Sequence, residues 1–552
     1  MKDHEMSAHP IPFRRAVVAA GLLLVPVLAA CSAGEADGTN TGTGTPVSGG
    51  ELTYLVDQTQ LTLDPAVSPA TVTGLVTRPI FDSLVEQTSP TTFGPWLATK
   101  WEISADGRDY TFHLKRGITF TDGTPFDAAA VKATLDHVVD PASKSQYAAS
   151  LIAPYESTTI VDDLTAKVRL SKPFRPFLQA LSTPYLGIQS PKALRVPAAD
   201  YKPVGTGPFS FVSWEQQKDI TLTRNPAYAA APAGAPHPGP AYLQTLKFGY
   251  VAEETTRYGA LTSGQAQAIA AVPSGRVDSL QAGGKFRVLK NELPGTGYNL
   301  YFNVRTGPTS DPSVREAVQR AIDVPALVAN IYSGQYAPAK NVLSPTTPGY
   351  DRAAEGSLPQ FDPAKAAELL DRAGWTGRNA EGYRTKDGRE LTLTWPYLGL
   401  INRDRRDVLG QAIQAEAKKA GIRIDRPNLD AGAYTDLVLN GGYQILDTGN
   451  VRADADILRF SFGSQATFAR GGANLSLAAS PELDGWLDEA AGTADPAVAT
   501  RDYAQAQAYV LKNGYVLPGY VQTSLVGTTA KLSGLTVDAQ GIARFAGAWL
   551  AK

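Results

Sequence analysis

Hydrophobic residues recur at every second position in several short runs of this chain. Leu52, Tyr54 and Val56 form one such run, and a period of two places one face of a β-strand against a core. The same spacing returns at residues 110–114 and 298–302. These runs predict strands in the first, second and middle parts of the chain.

Helical segments lie between these runs and have clear start and stop signals. Asp311-Pro312 provides an N-cap and an N1 proline before apolar residues at helical spacing. Asp362-Pro363 begins another helix, with Gly374 as its stop signal. Residues 408–419 and 503–512 predict two more. The chain is therefore expected to be an α/β protein, and no internal repeat of 20–50 residues is visible.

The amino-terminal end has the pattern of an export signal. Arg14 and Arg15 precede an unbroken apolar run, residues 16–30, and Cys31 follows it as the only cysteine of the chain. A basic start, an apolar centre and small exit residues are typical of a secretory signal. The run is shorter than the ~20 residues that a membrane-spanning helix needs. The ending Leu-Ala-Ala-Cys resembles a bacterial lipobox, which predicts cleavage after residue 30 and acylation of Cys31. The alternative is a lone core cysteine.

Length, charge and cysteine content limit what the rest of the chain can be. Residues 32–50 consist mostly of small and polar residues and predict a flexible tether, which leaves about 500 residues for two or three domains. A formal net charge of −2 gives no electrostatic footprint for nucleic acid. With a single cysteine, disulfides cannot hold the body together.

Catalytic and metal-binding motifs are missing from the sequence. It contains neither a Gly-x-Ser-x-Gly elbow nor a His-Glu-x-x-His helix. The histidines beyond the signal are His113, His137 and His237. Neither His113, on a predicted strand, nor His137, on a predicted helix, has an evident acid or nucleophile partner in the sequence. We therefore expect no enzyme activity, no cofactor and no metal site, and an exported hydrolase is the remote alternative.

Four sequence blocks resemble the solute-binding proteins of peptide-type ABC importers, the family 5 or oligopeptide, dipeptide and nickel class. Any one block is a weak signal, but here they follow the family's order behind a lipobox. The blocks are Pro95-Trp96-Leu97-Ala98 through Thr124-Pro125-Phe126; Val204-Gly205-Thr206-Gly207-Pro208-Phe209 with Arg224-Asn225-Pro226-Ala227-Tyr228; Leu300-Tyr301-Phe302-Asn303 with Val314-Arg315-Glu316-Ala317-Val318; and Asp362-Pro363-Ala364-Lys365-Ala366.

The resemblance implies a two-lobed clamp, like that of periplasmic binding proteins, with an extra subdomain inserted in lobe I. Ligand would lie between the lobes, and hinge closure around it is the known behaviour of such proteins. The implied ranges are 1–30 for the lipoprotein signal, 31–50 for the tether, 51–84, 203–292 and 515–552 for lobe I, 85–202 for the subdomain, and 293–514 for lobe II.

Residues 449–456 are the most informative stretch for ligand binding. Peptide-binding members have a Trp here, then two residues, then an Asp that pairs with the ligand ammonium. Asp454 matches that aspartate and Val451 replaces the tryptophan. The resemblance thus implies Asp454 as a ligand contact, with Arg452 beside it. The alternatives are a solvated acidic loop or a structural ion pair of Arg452 with Asp454 or Asp456.

Other candidate contacts also come from the resemblance. Dipeptide-selective members place an arginine before Pro-Tyr, and this chain has Trp395 there, followed by Pro396 and Tyr397. Tryptophan cannot form a bidentate fork with a carboxylate, which argues against a tight dipeptide clamp and allows a longer, bulkier or uncharged-ended ligand. The alternative is that Trp395 is a core residue. Arg403, Arg405 and Arg406 are expected at a solvated helix start. The remaining candidates are Tyr301 and Asn303 from the third block, and Ser68 and Thr71 in lobe I.

Together these features predict a monomeric, lipid-anchored protein outside the cytoplasm. It would bind a peptide or peptide-like solute and deliver it to an ABC permease with cytoplasmic ATPases. The alternative is the same fold binding a non-peptide solute, such as a metal chelate, an opine or a sugar derivative.

Overall fold

The computed structural model describes residues 44–399 and 403–552. The predicted signal, Cys31 and the tether as far as residue 43 lie outside the described residues. The last part of the predicted tether is bonded to the body. Gly49 donates its N–H to the Tyr242 carbonyl at 2.8 Å, and Gln244 donates to the Gly50 carbonyl at 3.0 Å. The end of the tether therefore continues into the first strand instead of standing free.

Lobe I is built on a seven-stranded sheet. Its first strand, Glu51–Val56, lies in the middle and pairs in parallel with both neighbours, while the other pairings are antiparallel. Leu52, Tyr54 and Val56 are buried in one apolar cluster, as their spacing predicts. The spatial order of strands is Phe286–Glu292, Thr523–Thr529, Ala268–Ile269, Glu51–Val56, Thr245–Tyr250, Asp219–Arg224 and Phe209–Glu215.

The inserted subdomain has its own four-stranded antiparallel sheet. The predicted strand at 110–114 is its second strand, Asp109–Leu114, and buries alternate residues. Helix Ala128–Val139 covers the sheet; its N-cap Asp127 accepts from the Ala130 N–H. The sheet order is Ala98–Ile103, Asp109–Leu114, Thr165–Leu170 and Tyr155–Asp162, and a two-stranded ribbon, Val85–Gln87 with Phe93–Pro95, precedes it.

Lobe II has a central antiparallel sheet of three strands, Ile445–Thr448, Tyr298–Phe302 and Val516–Tyr520. All five residues of Tyr298–Phe302 are buried, so the sequence expectation of one buried face is too narrow. The strand is central in its sheet, and apolar clusters cover both faces.

Smaller pairings elsewhere in the molecule are Thr392–Thr394 with Arg423–Asp425, Gly377–Arg378 with Arg384–Lys386 and the latter with Arg389–Glu390, Leu532–Ser533 with Trp549–Leu550, and Thr536–Val537 with Ala543–Arg544.

The helices begin where the capping signals predict. Asp311 caps Pro312–Ala321 and Asp362 caps Pro363–Arg372, each through a side-chain oxygen that accepts a backbone N–H. The predicted helix at 503–512 begins seven residues earlier, at Pro496. The other α-helices are Thr71–Thr77, Tyr147–Leu151, Phe177–Ser182, Glu254–Thr262, Val277–Gln281, Val324–Ile331, Arg406–Lys419, Ala431–Leu439, Ile457–Phe462 and Pro481–Gly492.

Strand pairing bears on where the chain passes between the lobes. Phe286–Glu292 belongs to the lobe I sheet and Tyr298–Phe302 to the lobe II sheet, so the first crossing lies at 293–297. On the return, Val516–Tyr520 still pairs in lobe II, and Thr523–Thr529 is in lobe I. The pairing favours a second crossing at 521–522, later than the predicted residue 515.

Across the described ranges, none of the helices has the length and apolar character that a membrane span requires.

Candidate ligand cleft

A cleft of about 490 Å³ lies between the lobes, at the point where the subdomain faces lobe II. Among its described lining residues, six are aromatic and nine others carry polar or charged side chains, a mixture that can both bury and orient a small molecule. Lobe I contributes Gln58, Val67, Pro69, Ala70 and Thr71; the subdomain contributes Gln146, Tyr147 and Tyr185; and lobe II contributes Tyr397, Arg403, Arg406, Arg426, Tyr434, Asp447, Thr448, Gly449, Asn450, Val451, Phe460 and Phe468, among others.

A second compartment of about 830 Å³ adjoins the first. The two share Gln58, Pro69, Ala70 and Arg403 as lining residues. The second compartment extends between the lobe I helix Glu254–Thr262 and the first turn of the lobe II helix Arg406–Lys419. The cleft therefore has room for a solute larger than the first compartment alone would hold.

The loop 449–451 ties the cleft wall to the first crossing between the lobes. Thr296 donates its N–H to the Asn450 carbonyl and accepts the Asn450 N–H on its hydroxyl, each at 2.9 Å. Gly295 has a φ of +115°, and a Cβ on it would lie 2.0 Å from the Asn450 carbonyl oxygen. Glycine is thus required at 295, both for the left-handed backbone and for this close approach.

Several contacts join the subdomain to lobe II beside the cleft. Gln87 donates to the Ala453 carbonyl at 2.9 Å. The rings of Tyr147 and Phe460, both cleft residues, meet edge to face with centroids 5.4 Å apart. The Arg175 N–H donates to the Ala491 carbonyl at 2.8 Å. The lobes are held together in the structure by these contacts between protein groups.

Of the predicted contacts, the structure brings Thr71 and Tyr397 to the first compartment and Ser68 to the second. Thr71 begins the helix Thr71–Thr77. Ser68 is largely buried, and its hydroxyl accepts from the Thr73 hydroxyl at 2.9 Å. Thr71 and Tyr397 line the same compartment from opposite lobes, which is the arrangement the clamp predicts.

Trp395, Tyr301 and Asn303 do not line the cleft. Each is fully buried in lobe II. Trp395 donates its indole N–H to Asp447 at 2.6 Å, so it acts on the cleft through that residue. Asn303 donates to the Tyr443 carbonyl at 2.9 Å, and Tyr301 stacks on Phe462. Tyr301 and Asn303 lie on the central strand or at its end, and burial on both faces of that strand keeps them from solvent.

Arg452 and Asp456 form a buried ion pair. Arg452 Nη2 lies 3.2 Å from Asp456 Oδ2, and Arg459 contacts the same carboxylate at 2.6 Å. Arg452 also donates to the subdomain residue Gln179 at 3.3 Å. The ion pair is the structural alternative considered for Arg452. The hydrogen bond to Gln179 also links lobe II to the subdomain.

Asp454 is half-buried beside this pair and does not line either compartment. Its carboxylate accepts the Asp456 N–H at 2.7 Å. Burial raises the pKa of the Asp454 carboxyl, and the nearby Arg452 opposes that rise. Its role as an ammonium contact stays a prediction.

Three arginines line the first compartment, and the sequence reasoning did not assign them to it. Arg403 and Arg406 were expected at a solvated helix start, but both face the cleft. Arg406 donates to the Tyr520 hydroxyl at 3.0 Å and lies over the Tyr298 ring, both from distant parts of the chain. Arg426 follows the strand Arg423–Asp425, and its place at a strand end was the one signal that could have found it.

Metal ligation finds no support in the described ranges. There, no group of three or more His, Cys, Asp or Glu side chains is arranged to hold a metal ion.

Comparison with known proteins agrees with this architecture. The family model of bacterial extracellular solute-binding proteins, family 5 (middle region), matches residues 92–467. The glutathione-binding protein GsiB of Escherichia coli O1:K1 / APEC is 28% identical over 498 residues, which cover 88% of this chain and 92% of GsiB.

Two solved structures share the fold over most of their length. The periplasmic binding protein DppA of Helicobacter pylori, in complex with the peptide STSA, has a TM-score of 0.76 at 26% identity and covers 92% of this chain and 99% of its own. NikA of Brucella suis, in complex with Fe(III)-EDTA, has a TM-score of 0.78 at 24% identity, with coverage of 89% and 97%. The chain has the two-lobed clamp fold and belongs to the family 5 bacterial extracellular solute-binding proteins.

Proposed function

We propose that this chain captures a peptide or peptide-like solute between its lobes and delivers it to a membrane permease driven by cytoplasmic ATPases. The observation that carries the proposal is the cleft itself, which both lobes and the subdomain line with aromatic and polar side chains. GsiB is a glutathione-binding protein, and the DppA structure is a complex with a peptide; both support this solute class. The protein acts in this proposal by binding alone, as a monomer and without a cofactor.

Closure of the lobes is the signal that the permease reads in this proposal. A solute can drive closure only when it binds the closed state better than the open one. Contacts such as Gln87 with Ala453 already join the subdomain to lobe II. The solute would add its own contacts to both walls and so favour the closed arrangement.

Titration calorimetry on the full chain, with glutathione, trialanine and a nickel–histidine chelate as probes, tests the solute class. We expect heat of binding with at least one peptide probe, and loss of that heat in Tyr397→Ala. Tyr383→Ala is the matched control, because Tyr383 lies outside both compartments. Binding of the peptide probes that is unchanged in Tyr397→Ala would count against a site in this cleft.

A second candidate is a non-peptide solute such as a metal chelate, an opine or a sugar derivative. The structural likeness to NikA, whose structure holds Fe(III)-EDTA, is the observation that favours it. Heat with the nickel–histidine chelate alone would select this candidate.

Anchoring to the membrane through acylated Cys31 belongs to the same proposal. The apolar run before Cys31 supports it. Replacing the thiol by a hydroxyl removes the acylation site, so Cys31→Ser is expected to release the protein into the medium. Continued retention of Cys31→Ser in the membrane fraction would contradict the lipid anchor.

A further inference from the structure

Arg426 holds a guanidinium group against two rings at the lobe II wall of the cleft. Its guanidinium carbon lies 4.3 Å from the centroid of the Trp395 ring and 4.9 Å from that of the Tyr397 ring. The strands Thr392–Thr394 and Arg423–Asp425 are parallel, with Thr394 opposite Asp425. The next residues along, Trp395 and Arg426, are therefore neighbours at the carboxyl end of this pair.

This guanidinium is not neutralised by a carboxylate within the described ranges. It donates through Nη1 to the Asp407 carbonyl at 3.2 Å. Its buried Nε has no hydrogen-bond partner there, and a buried donor without a partner is costly. Among the described residues, the nearby Arg423 forms an ion pair with Glu390, whereas Arg426 forms none.

The surrounding charge favours an anion. Arg403 and Arg406 line the same compartment, and Asp447 is the one carboxylate among its described lining residues. Asp447 already accepts from the Tyr298 hydroxyl at 2.8 Å and from the Trp395 N–H at 2.6 Å. The Asp404 carboxylate lies 3.5 Å from Arg406 and 3.9 Å from Arg403, so it offsets part of this charge, whereas Arg426 has no ion pair among the described residues. In a cleft of low dielectric constant, such an excess of positive charge attracts a carboxylate strongly.

We infer that Arg426 binds a free carboxylate of the solute and so selects carboxylate-bearing ligands for this cleft. Trp395 has no bidentate donor group of its own, but its ring orients the guanidinium group of Arg426. The inference deepens the proposed function and rests on it. Among the longer, bulkier or uncharged-ended ligands that the sequence allows, it favours a longer or bulkier ligand that ends in a carboxylate.

Gly410 gives an independent way to move this guanidinium without removing its charge. A Cβ at Gly410, in the helix Arg406–Lys419, would lie 1.9 Å from Arg426 Nη1. The Gly410→Ala methyl group must therefore displace the end of the Arg426 side chain from the two rings.

The test compares tripeptide mixtures that differ at one group. Native mass spectrometry and calorimetry on the full chain would use a mixed tripeptide panel with free α-carboxylates and the same panel as C-terminal amides. We expect wild type to bind the acids about 10- to 100-fold more tightly than the amides, the range that corresponds to a charged hydrogen bond. Arg426→Gln and Gly410→Ala should lose most of that preference. Arg423→Gln should keep it, because Arg423 lies on the strand that Arg426 follows but stacks on Tyr383 outside the cleft.

The outcomes separate this inference from the proposed function. Equal binding of acids and amides by wild type would overturn the inference and leave peptide capture standing. An acid preference that survives in both Arg426→Gln and Gly410→Ala, with folding verified by thermal unfolding, would also overturn it. Failure of folded wild type to bind either panel would count against both.

Discussion

Gln87 in the subdomain donates its side-chain amide to the carbonyl oxygen of Ala453 in lobe II, at 2.9 Å. This hydrogen bond links the subdomain to lobe II beside the cleft, and neither of its partners is a group proposed to contact the solute. It therefore allows the stability of the closed arrangement to be changed separately from the chemistry of binding.

Gln87→Ala is expected to weaken solute binding by about 2- to 10-fold, since a net hydrogen bond of this kind is worth about 0.5–1.5 kcal/mol. A less populated closed state lowers apparent affinity by its fraction. Calorimetry with the best-binding peptide probe measures the effect. Gln216→Ala, at an exposed position, is the control. Equal affinities of wild type and Gln87→Ala would show that this contact does not favour closure.

Gly295→Ala is expected to destabilise the protein and to disturb the cleft loop. The left-handed backbone alone should cost about 1–3 kcal/mol, and the methyl group would also collide with the Asn450 carbonyl oxygen, 2.0 Å away. Thermal unfolding gives the stability, and calorimetry gives the loss of affinity. Gly283→Ala has open space around its Cβ and should change neither. An unchanged melting temperature for Gly295→Ala would contradict the strained crossing.

Asp82 makes stability depend on pH. Burial raises the pKa of the Asp82 carboxyl to about 6, although the Thr206 hydroxyl donates to it and Arg78 lies nearby. A folded-state pKa above the unfolded value favours the neutral acid in the folded protein. The contribution of the neutral Asp82 side chain to folding stability is fully present below about pH 4 and is lost as pH rises through about 6.

Asp82→Asn removes this titration and nearly preserves the shape of the side chain. From pH 4 to pH 7 the wild type is expected to lose up to about 3 kcal/mol relative to Asp82→Asn. Melting temperatures of both proteins across this range measure the difference. Parallel pH profiles would show that Asp82 does not titrate there.

Two carboxylates are candidates for contact with a cationic group on the solute. The family resemblance implies Asp454, whereas Asp447 is the one that lines the cleft. We expect Asp447→Asn to weaken binding of a tripeptide with a free α-ammonium by about 2–5 kcal/mol, the cost of breaking a buried charge pair. Asp454→Asn should have the smaller effect. A larger loss in Asp454→Asn would return the role to the residue that the resemblance implies.

Local signals predicted most of the fold. Asp311 and Asp362 cap helices as their Asp-Pro pairs indicate, because a cap depends on neighbours within a few residues. Burial on both faces of Tyr298–Phe302 was not predictable in this way. It depends on clusters from distant segments that cover both sides of the strand.

The candidate site was less predictable because distant residues form it. Arg406 has the local sequence of a solvated helix start, yet it bonds to Tyr520 and lies over Tyr298. Arg426 was missed for a related reason, because the parallel pairing of two short strands brings it beside the distant residue Trp395. Thr71 and Tyr397, which line the cleft, were predicted because the family resemblance implies contacts at those two positions, outside the four sequence blocks.

The central claim is that a solute occupies the cleft between the lobes. Native mass spectrometry of the full chain, purified without refolding, tests it most directly when wild type is compared with Ala70→Trp. Ala70 lines both compartments, so a tryptophan there should obstruct the cleft where they meet; Ala198→Trp at an exposed position is the control. We predict one-to-one adducts on wild type and the control, released as peptides on denaturation, and none on Ala70→Trp. Adducts of equal abundance on all three proteins would contradict a ligand site in this cleft.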